Sequence, residues 1–281
     1  MNSIFTLEKI LTQVDEIPLL PQISYKVMEA INNENSSVMD VANIISTDQG
    51  LTAKILRLCN SAFYGLSRKV STVSEAVSIV GFSTIKSMLM IVTTLDMIKK
   101  DLIGYGIKSD EFWKHSLYTA QSSYYLSIEL DYRDEEEAFI GGLLHDIGKI
   151  VLNNYALPGL YQVRNLVYNN GYNLFEAEKM IFGFDHAKIG GKLAERWNFP
   201  EVLVNAIDKH HFPENLLEDE IFPIIVGLGD YFANNIKENN ENLFIPEKIL
   251  KLTNISIKEI NEIYKNRKDN IIETVSQLMV F

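Results

Sequence analysis

A single cysteine, Cys59, stands in the 281 residues of this chain. It excludes an internal disulfide framework and fits a reducing cytoplasm, which is the expected location. Prolines number only seven and no alternating strand-like run has any length, which argues against a sheet protein. Positive charge is also in short supply. Against 37 Asp and Glu there are 26 Lys and Arg, a formal net charge of −11. That argues against a surface built for nucleic-acid phosphates, which rests on clustered Lys and Arg, but leaves room for a small anionic ligand held by a metal and one lysine. The longest uninterrupted apolar runs, such as Met88 to Val92, fall far short of the roughly 20 residues of a membrane helix. The opening MNSIFTLEKILTQVDEIP has no basic region followed by an apolar core, so no secretion signal is expected. There is no fixed-period repeat and no glycine-rich phosphate loop; Gly227-Leu228-Gly229 is too short and carries no lysine. Histidine is absent from the first 114 residues.

What is present is the composition of a soluble globular protein, 47% hydrophobic and 22% charged. Apolar residues recur at i, i+3 and i+4 along most of the chain, so the expected fold is all-α. Short helices are expected over 4–14 and 22–32, with Ile17 to Pro21 as a stop between them. Ser37 and Asp40 have the spacing of a capping box for the next helix. Leu51, Ile55 and Leu58 mark another helix face, and Gly81 separates a helix over 73–80 from a longer apolar one over 83–99, whose methionines read as flexible core filler. The stretch 100–110 is the best boundary. Further helices are expected over 110–130, 134–153, 174–182, 186–196, 200–210 and 221–236, and two more after Pro246. The run Asp134 to Glu137 reads as a solvated helix N-terminus. The expected organisation is an N-terminal helical lobe over 1–100, a metal-binding helical lobe over 109–235 and a C-terminal helical extension over 236–281.

The chemistry centres on Gly141 to Ile150, where His145 and Asp146 lie side by side and Lys149 follows three residues on, all among apolar residues. A buried histidine and carboxylate are costly unless each finds a partner, so they are either hydrogen-bonded or hold a cation. The other histidines are His115, His186, His210 and His211, each beside an apolar helical stretch. Imidazole with carboxylate suits Fe, Mn, Zn or Ni. Two divalent ions need a bridging carboxylate, for which Asp146 is the natural choice, and Asp230 on a later apolar helix is a natural terminal ligand. Glu111, four residues before His115, shares its helix face and is a further candidate. Each residue alone has a plainer reading: a core histidine, an ion-paired Asp230, a surface Lys149. The ordered set of His, His-Asp, His, His-His and Asp on predicted helices is hard to produce by accident.

That order, His115, His145-Asp146, His186, His210-His211, Asp230, resembles the HD superfamily of helical metal-dependent phosphohydrolases. Within it the chain resembles the HDOD branch, related to the HD-GYP phosphodiesterases. Leu19-Leu20-Pro21, Ile44 to Thr52, Leu56 to Gly65 and Ala76 to Gly81 carry the same resemblance, which covers about residues 17–235. It implies an HD-domain-like helical bundle with an N-terminal helical lobe. It also implies one metal held by His115, His145, Asp146 and Asp230, and a second held by His186, His210 and His211 with Asp146 shared. Lys149 would face a substrate phosphate, and Lys149 and Asp146 would be the catalytic pair. After the histidine pair the chain departs from HD-GYP enzymes: Phe212-Pro213-Glu214-Asn215 stands where Glu, Asp-Gly and Gly-Tyr-Pro elements would follow, which argues against a cyclic dinucleotide. The first expectation is a metal-binding signalling or output module acting through a protein partner. The alternative is an active metal-dependent phosphohydrolase or phosphodiesterase taking a small phosphorylated ligand or nucleotide. A third class, a structural helical scaffold, would leave the histidines as core residues.

Overall fold

The computed structural model describes residues 10, 12, 21–61, 64–98, 100–132, 134–197, 199–211, 216, 220–243, 245–253 and 255–279. Apart from residues 10 and 12, the expected helix over 4–14 lies outside them, as do its stop at Ile17–Leu20 and the segment Phe212 to Asn215. The described helices are α1 (Gln22–Asn32), α2 (Val38–Ser46), α3 (Gln49–Cys59), α4 (Val73–Ile98), α5 (Ser109–Glu129), α6 (Glu135–Leu144), α7 (Ile147–Tyr155), α8 (Leu157–Asn170), α9 (Leu174–Phe182), α10 (His186–Arg196), α11 (Glu201–Lys209), α12 (Ile221–Lys237), α13 (Glu247–Thr253) and α14 (Ile257–Leu278). Among the described residues the only β pairing is one isolated bridge, Leu102 to Ile107, so the fold is all-α. The chain forms two compact units. One comprises 1–17 and 98–272, the other 18–97 and 273–281.

The unit of 98–272 carries every histidine. Its α5 packs on α6 and α12, and α10 packs on α7 and α11. Phe112, Trp113, Leu117 and Leu126 of α5 are all buried. Burial of each such side chain contributes about 1.5–3 kcal/mol. Asp134 caps α6 through the Glu137 amide, at 2.9 Å, which uses the first acid of the 134–137 run as anticipated. Farther along, the Phe232 ring meets Tyr264 edge-on at 5.1 Å and Arg267 reaches Glu129 at 2.9 Å, tying the start of α14 to the unit.

One expectation is corrected here. The helix expected over 134–153 is two helices, and the His145-Asp146 doublet lies between them rather than inside one. Asp146 adopts φ −93°, ψ 8°, outside the α-helical region, and the Lys149 amide bonds the Asp146 carbonyl at 2.9 Å to start α7. The break lets α7 lie close against α10. A Cβ at Gly148 would come 1.9 Å from the His186 carbonyl oxygen, so this contact requires glycine.

The unit of 18–97 is built from caps and apolar faces. Ser37 and Asp40 form the capping box reciprocally, with Asp40 N to Ser37 Oγ at 3.2 Å and Ser37 N to Asp40 Oδ2 at 2.8 Å. The Asp48 carboxylate accepts from the Leu51 amide and caps α3. The Asn60 side chain pairs with both the N–H and C=O of Val70, closing the loop before α4. Gly81 breaks α4 at φ +81°, where the sequence places a boundary between two helical stretches. Val73–Leu95 is long and apolar enough, by length and composition, to cross a membrane, which no uninterrupted apolar run indicates. Half of that window is buried inside the protein and Gly81 interrupts it, the pattern of a core helix.

Candidate metal centre

The site is assembled from five separate segments of the 98–272 unit: α5 supplies His115, the α6–α7 junction His145 and Asp146, the first residue of α10 His186, the end of α11 His210 and His211, and α12 Asp230. All seven converge around the Asp146 carboxylate. His115 Nε2 is 3.5 Å and His145 Nε2 3.4 Å from Asp146 Oδ2, and Asp230 Oδ1 lies 3.2 Å from His115 Nε2 and 3.8 Å from His145 Nε2. On the other oxygen, His186 Nε2 is 3.0 Å and His210 Nε2 4.0 Å from Oδ1, and His211 Nε2 is 2.9 Å from His186 Nε2. Each carboxylate oxygen thus faces its own group of imidazoles. Two sets, His115/His145/Asp146 and His186/His210/His211, bring one donor atom per residue within 4.8 Å of one another.

The inward aim of the Nε2 atoms has a cause. His145 Nδ1 lies 2.7 Å from the Gly142 carbonyl, and His210 Nδ1 2.8 Å from the Ile207 carbonyl. A backbone carbonyl can only accept, so Nδ1 carries a proton and Nε2 is the atom aimed into the site. His186 is held differently. Its Nδ1 is 2.6 Å and its backbone N–H 2.8 Å from Glu178 Oε2, and Tyr105 donates to Glu178 Oε1 at 2.6 Å. Glu178 is fully buried. Sequence reasoning missed it, although the signal exists: Leu174, Glu178 and Phe182 are spaced i, i+4, i+8, which puts a carboxylate on the apolar face of α9.

Electrostatics follow from burial and from these partners. Burial opposes ionisation of Asp146, but the charges of His145 and Lys149 and the close approach of His145 and His186 hold its carboxyl well below the usual range. Asp230 is likewise lowered against the effect of burial, chiefly by the bond and charge of His115. Burial drives His210 down to about 3, helped by the charges of His145 and His186, and drives His211 well down beside His210. Burial would lower His186 too, yet the Glu178 charge, with Asp146 close by, carries it up to about 9. Lys149 Nζ sits 2.6 Å from Asp146 Oδ2. Burial would lower its pKa, but Asp146 raises it, so the ammonium remains charged inside the site.

These residues fit a metal on a direct observation. Asp146 Oδ1 and His210 Nε2 are buried polar atoms with no hydrogen-bond partner, and they face each other. Although His186 Nε2 is 3.0 Å from Oδ1, the contact lacks hydrogen-bond geometry. Orphaned buried atoms of this kind are rare in hydrogen-bonded cores. Glu111 does not join the site. It is exposed at the third position of α5, and its carboxylate turns back to the Lys108 amide as a cap. A cavity of about 450 Å³ opens on the cluster, lined on the site side by His115, Lys149, His186, His210, His211 and Asp230 and on the outer side by Phe175, Tyr231 and Asn234 among others. It is large enough for a small-molecule ligand.

Among known proteins, the HDOD domain model matches residues 17–213. An uncharacterized protein of Treponema pallidum (strain Nichols) is 28% identical over 204 residues, 71% of this chain; the chain spans only 38% of that relative's length. A solved HDOD domain protein of unknown function from Geobacter sulfurreducens shares the fold at TM-score 0.74 and 22% identity, covering 96% of this chain and 97% of its own. A provisionally named phosphohydrolase from Shewanella amazonensis SB2B aligns at TM-score 0.75 and 26% identity, covering 96% and 97%. With its family model matched over most of its length and its fold shared end to end, the chain belongs to the HDOD domain family.

Proposed function

We propose that this HDOD protein holds two divalent metal ions and uses them to bind and hydrolyse small phosphoesters. The observation that carries the reading is the division of Asp146: Oδ2 faces His115, His145 and Asp230, while Oδ1 faces His186, His210 and His211. By this reading those sets hold one ion each, of the Fe, Mn, Zn or Ni class, with Asp146 between them. Bound ions would supply Lewis acidity toward a phosphoryl oxygen and acidify a coordinated water. The chain's own residues do the rest. Lys149 leaves Asp146 to hold a phosphate oxygen, adding positive charge where negative charge develops. Glu178 and the Gly142 and Ile207 carbonyls keep the imidazoles aimed. The cavity of about 450 Å³ beside the cluster gives a ligand access and bounds its size. A net charge of −11 disfavours a nucleic-acid polymer, so a nucleotide or other small phosphorylated compound is the substrate class. The name of the Shewanella protein supports a phosphohydrolase.

The other reading, a metal-holding output module that acts through a signalling partner in the cytoplasm, is favoured by the unit of 18–97, which carries no histidine. Both readings need the metal, and they part at turnover. Metal analysis of purified protein followed by a screen of generic phosphomonoesters and phosphodiesters separates them. We expect two ions per chain and hydrolysis of at least one ester class that Asp146→Ala abolishes. Two ions with no hydrolysis by either protein leaves the output module, and no ion defeats both.

A further inference from the structure

Resting on the two-metal reading above, we propose that the two ion positions are unequal in kind. The His186, His210, His211 and Asp146 Oδ1 set is preformed, and Glu178 is its positioning residue. The His115, His145, Asp230 and Asp146 Oδ2 set takes its ion only by displacing Lys149.

Three differences between the sets carry this. The first is what each contains when metal-free. On the Oδ2 side the donors satisfy one another: His115 Nε2 is 3.3 Å from His145 Nε2 and 3.2 Å from Asp230 Oδ1. Lys149 Nζ stands 2.6 Å from Oδ2 itself, a cation already on the shared carboxylate. On the Oδ1 side two of the four donor atoms, Oδ1 and His210 Nε2, are buried without a hydrogen bond. An ion entering there meets two unsatisfied donors and breaks one imidazole pair, His186 Nε2 to His211 Nε2 at 2.9 Å, whereas an ion entering opposite must break the contacts among all its donors and expel an ammonium.

The second difference is the support behind the ligands. His186 is clamped at both its ring and its backbone by the one buried Glu178 oxygen, and the other Glu178 oxygen is tied down by Tyr105. A carboxylate behind a ligating imidazole fixes its orientation and makes it a stronger donor; loss of such a partner typically weakens metal binding 10- to 100-fold. On the other side the contacts of His115 with His145, Asp146 and Asp230 all fall on Nε2, the atom that faces the ion position. The third is the donor chemistry. Three imidazole nitrogens and one carboxylate oxygen suit Zn, Fe or Ni, while two nitrogens and two carboxylate oxygens admit a harder ion such as Mn. The first ion is therefore of the borderline imidazole-binding class, and the second is weaker, harder and in competition with Lys149. Because Lys149 is released from Asp146 only when the second ion arrives, its ammonium becomes available to a phosphate in the fully loaded site alone.

The test uses metal-stripped full-length protein titrated with cobalt(II) or zinc(II) alone, following heat and, for cobalt, the visible d–d bands. Wild type should load in two resolved steps. Glu178→Gln should weaken the first step on the order of 10- to 100-fold and shift its cobalt bands while leaving the second step in place. Lys149→Met, on the opposite side, should leave the first step alone and tighten the second roughly tenfold. A merely structural role for Glu178 would weaken both steps together. Two equal steps in wild type, or a Glu178→Gln effect shared by both steps or absent, overturns the proposal while leaving two-metal binding intact. If Glu178→Gln does not fold, Lys149→Met decides: an unchanged or weakened second step overturns the proposal. A wild-type protein that takes up no ion overturns the two-metal reading and this proposal with it.

Discussion

The two units of this chain use the same helical vocabulary for opposite ends. In the unit of 18–97, polar side chains finish what the backbone leaves open: Ser37 and Asp40 cap α2, Asp48 caps α3, and Asn60 satisfies Val70. In the unit of 98–272, the polar groups at helix ends are turned inward instead: His145 and His210 bond a last-turn carbonyl through Nδ1 and aim Nε2 at Asp146. His145, Asp146, His186 and His210 are each 1% exposed, and Glu178 is fully buried. Burying so many ionisable groups is costly unless they are paired or coordinate a metal. Polar residues that only close a helix end stabilise a fold; those that also converge in a core point to chemistry.

The comparison is broken hardest at Asp146. Asp146→Ala should remove both ion positions and leave Lys149, whose side chain is 11% exposed, as an unpaired buried charge. Metal content should fall to none, and urea unfolding of the stripped protein should show a loss of about 3–5 kcal/mol. Retention of metal with unchanged stability would break the account. Gly148→Ala comes next. Its Cβ would meet the His186 carbonyl oxygen at 1.9 Å, forcing α7 and α10 apart and displacing His186 from Asp146, so metal stoichiometry as well as melting temperature should drop. The matched change in the other unit, Gly81→Ala, meets no atom within 4 Å and is strained only by φ +81°. It should cost about 1 kcal/mol and leave metal content untouched.

A pH series sharpens the same contrast. Free histidine titrates near 6.5. His210, held at about 3 when folded, binds its proton more readily in the unfolded chain, so stability is lost as pH falls from about 6.5 toward 3. Asp146 and Asp230, both lowered, add to that acid loss. His186, raised to about 9, contributes stability that is full below about 6.5 and disappears as pH climbs through 9. The melting temperature of chelator-treated protein should therefore peak near pH 6.5 and fall on both sides, and a flat profile would contradict the buried charges described here. The smallest effect is expected at a cap. Ser37→Ala should lower stability by about 1 kcal/mol in denaturant titration, with metal content unchanged.

The helices were legible because apolar spacing and caps are local signals, as at Ser37 and Gly81. That these seven residues would come together was legible in their type and order before any contact was known. The break between Leu144 and Ile147 was not, since Leu143, Leu144, Ile147 and Ile150 continue a helical pattern and only the approach of α10 at Gly148 requires the chain to turn. Glu178 was passed over for a similar reason. Flanked by Glu176 and Lys179, it looks like one more surface charge until the face it shares with Leu174 and Phe182 is seen to be buried. Glu111, the further candidate, shares a face with His115 four residues on, but at the start of α5 its carboxylate is used by the Lys108 amide.

The central claim is that one carboxylate serves two ions. A crystal structure of zinc- or manganese-loaded protein with anomalous scattering tests it directly. The account predicts two anomalous peaks per chain on opposite oxygens of Asp146, each about 2.0–2.3 Å from its oxygen, one among His115, His145 and Asp230 and the other among His186, His210 and His211. A single peak, or peaks away from Asp146, would contradict it.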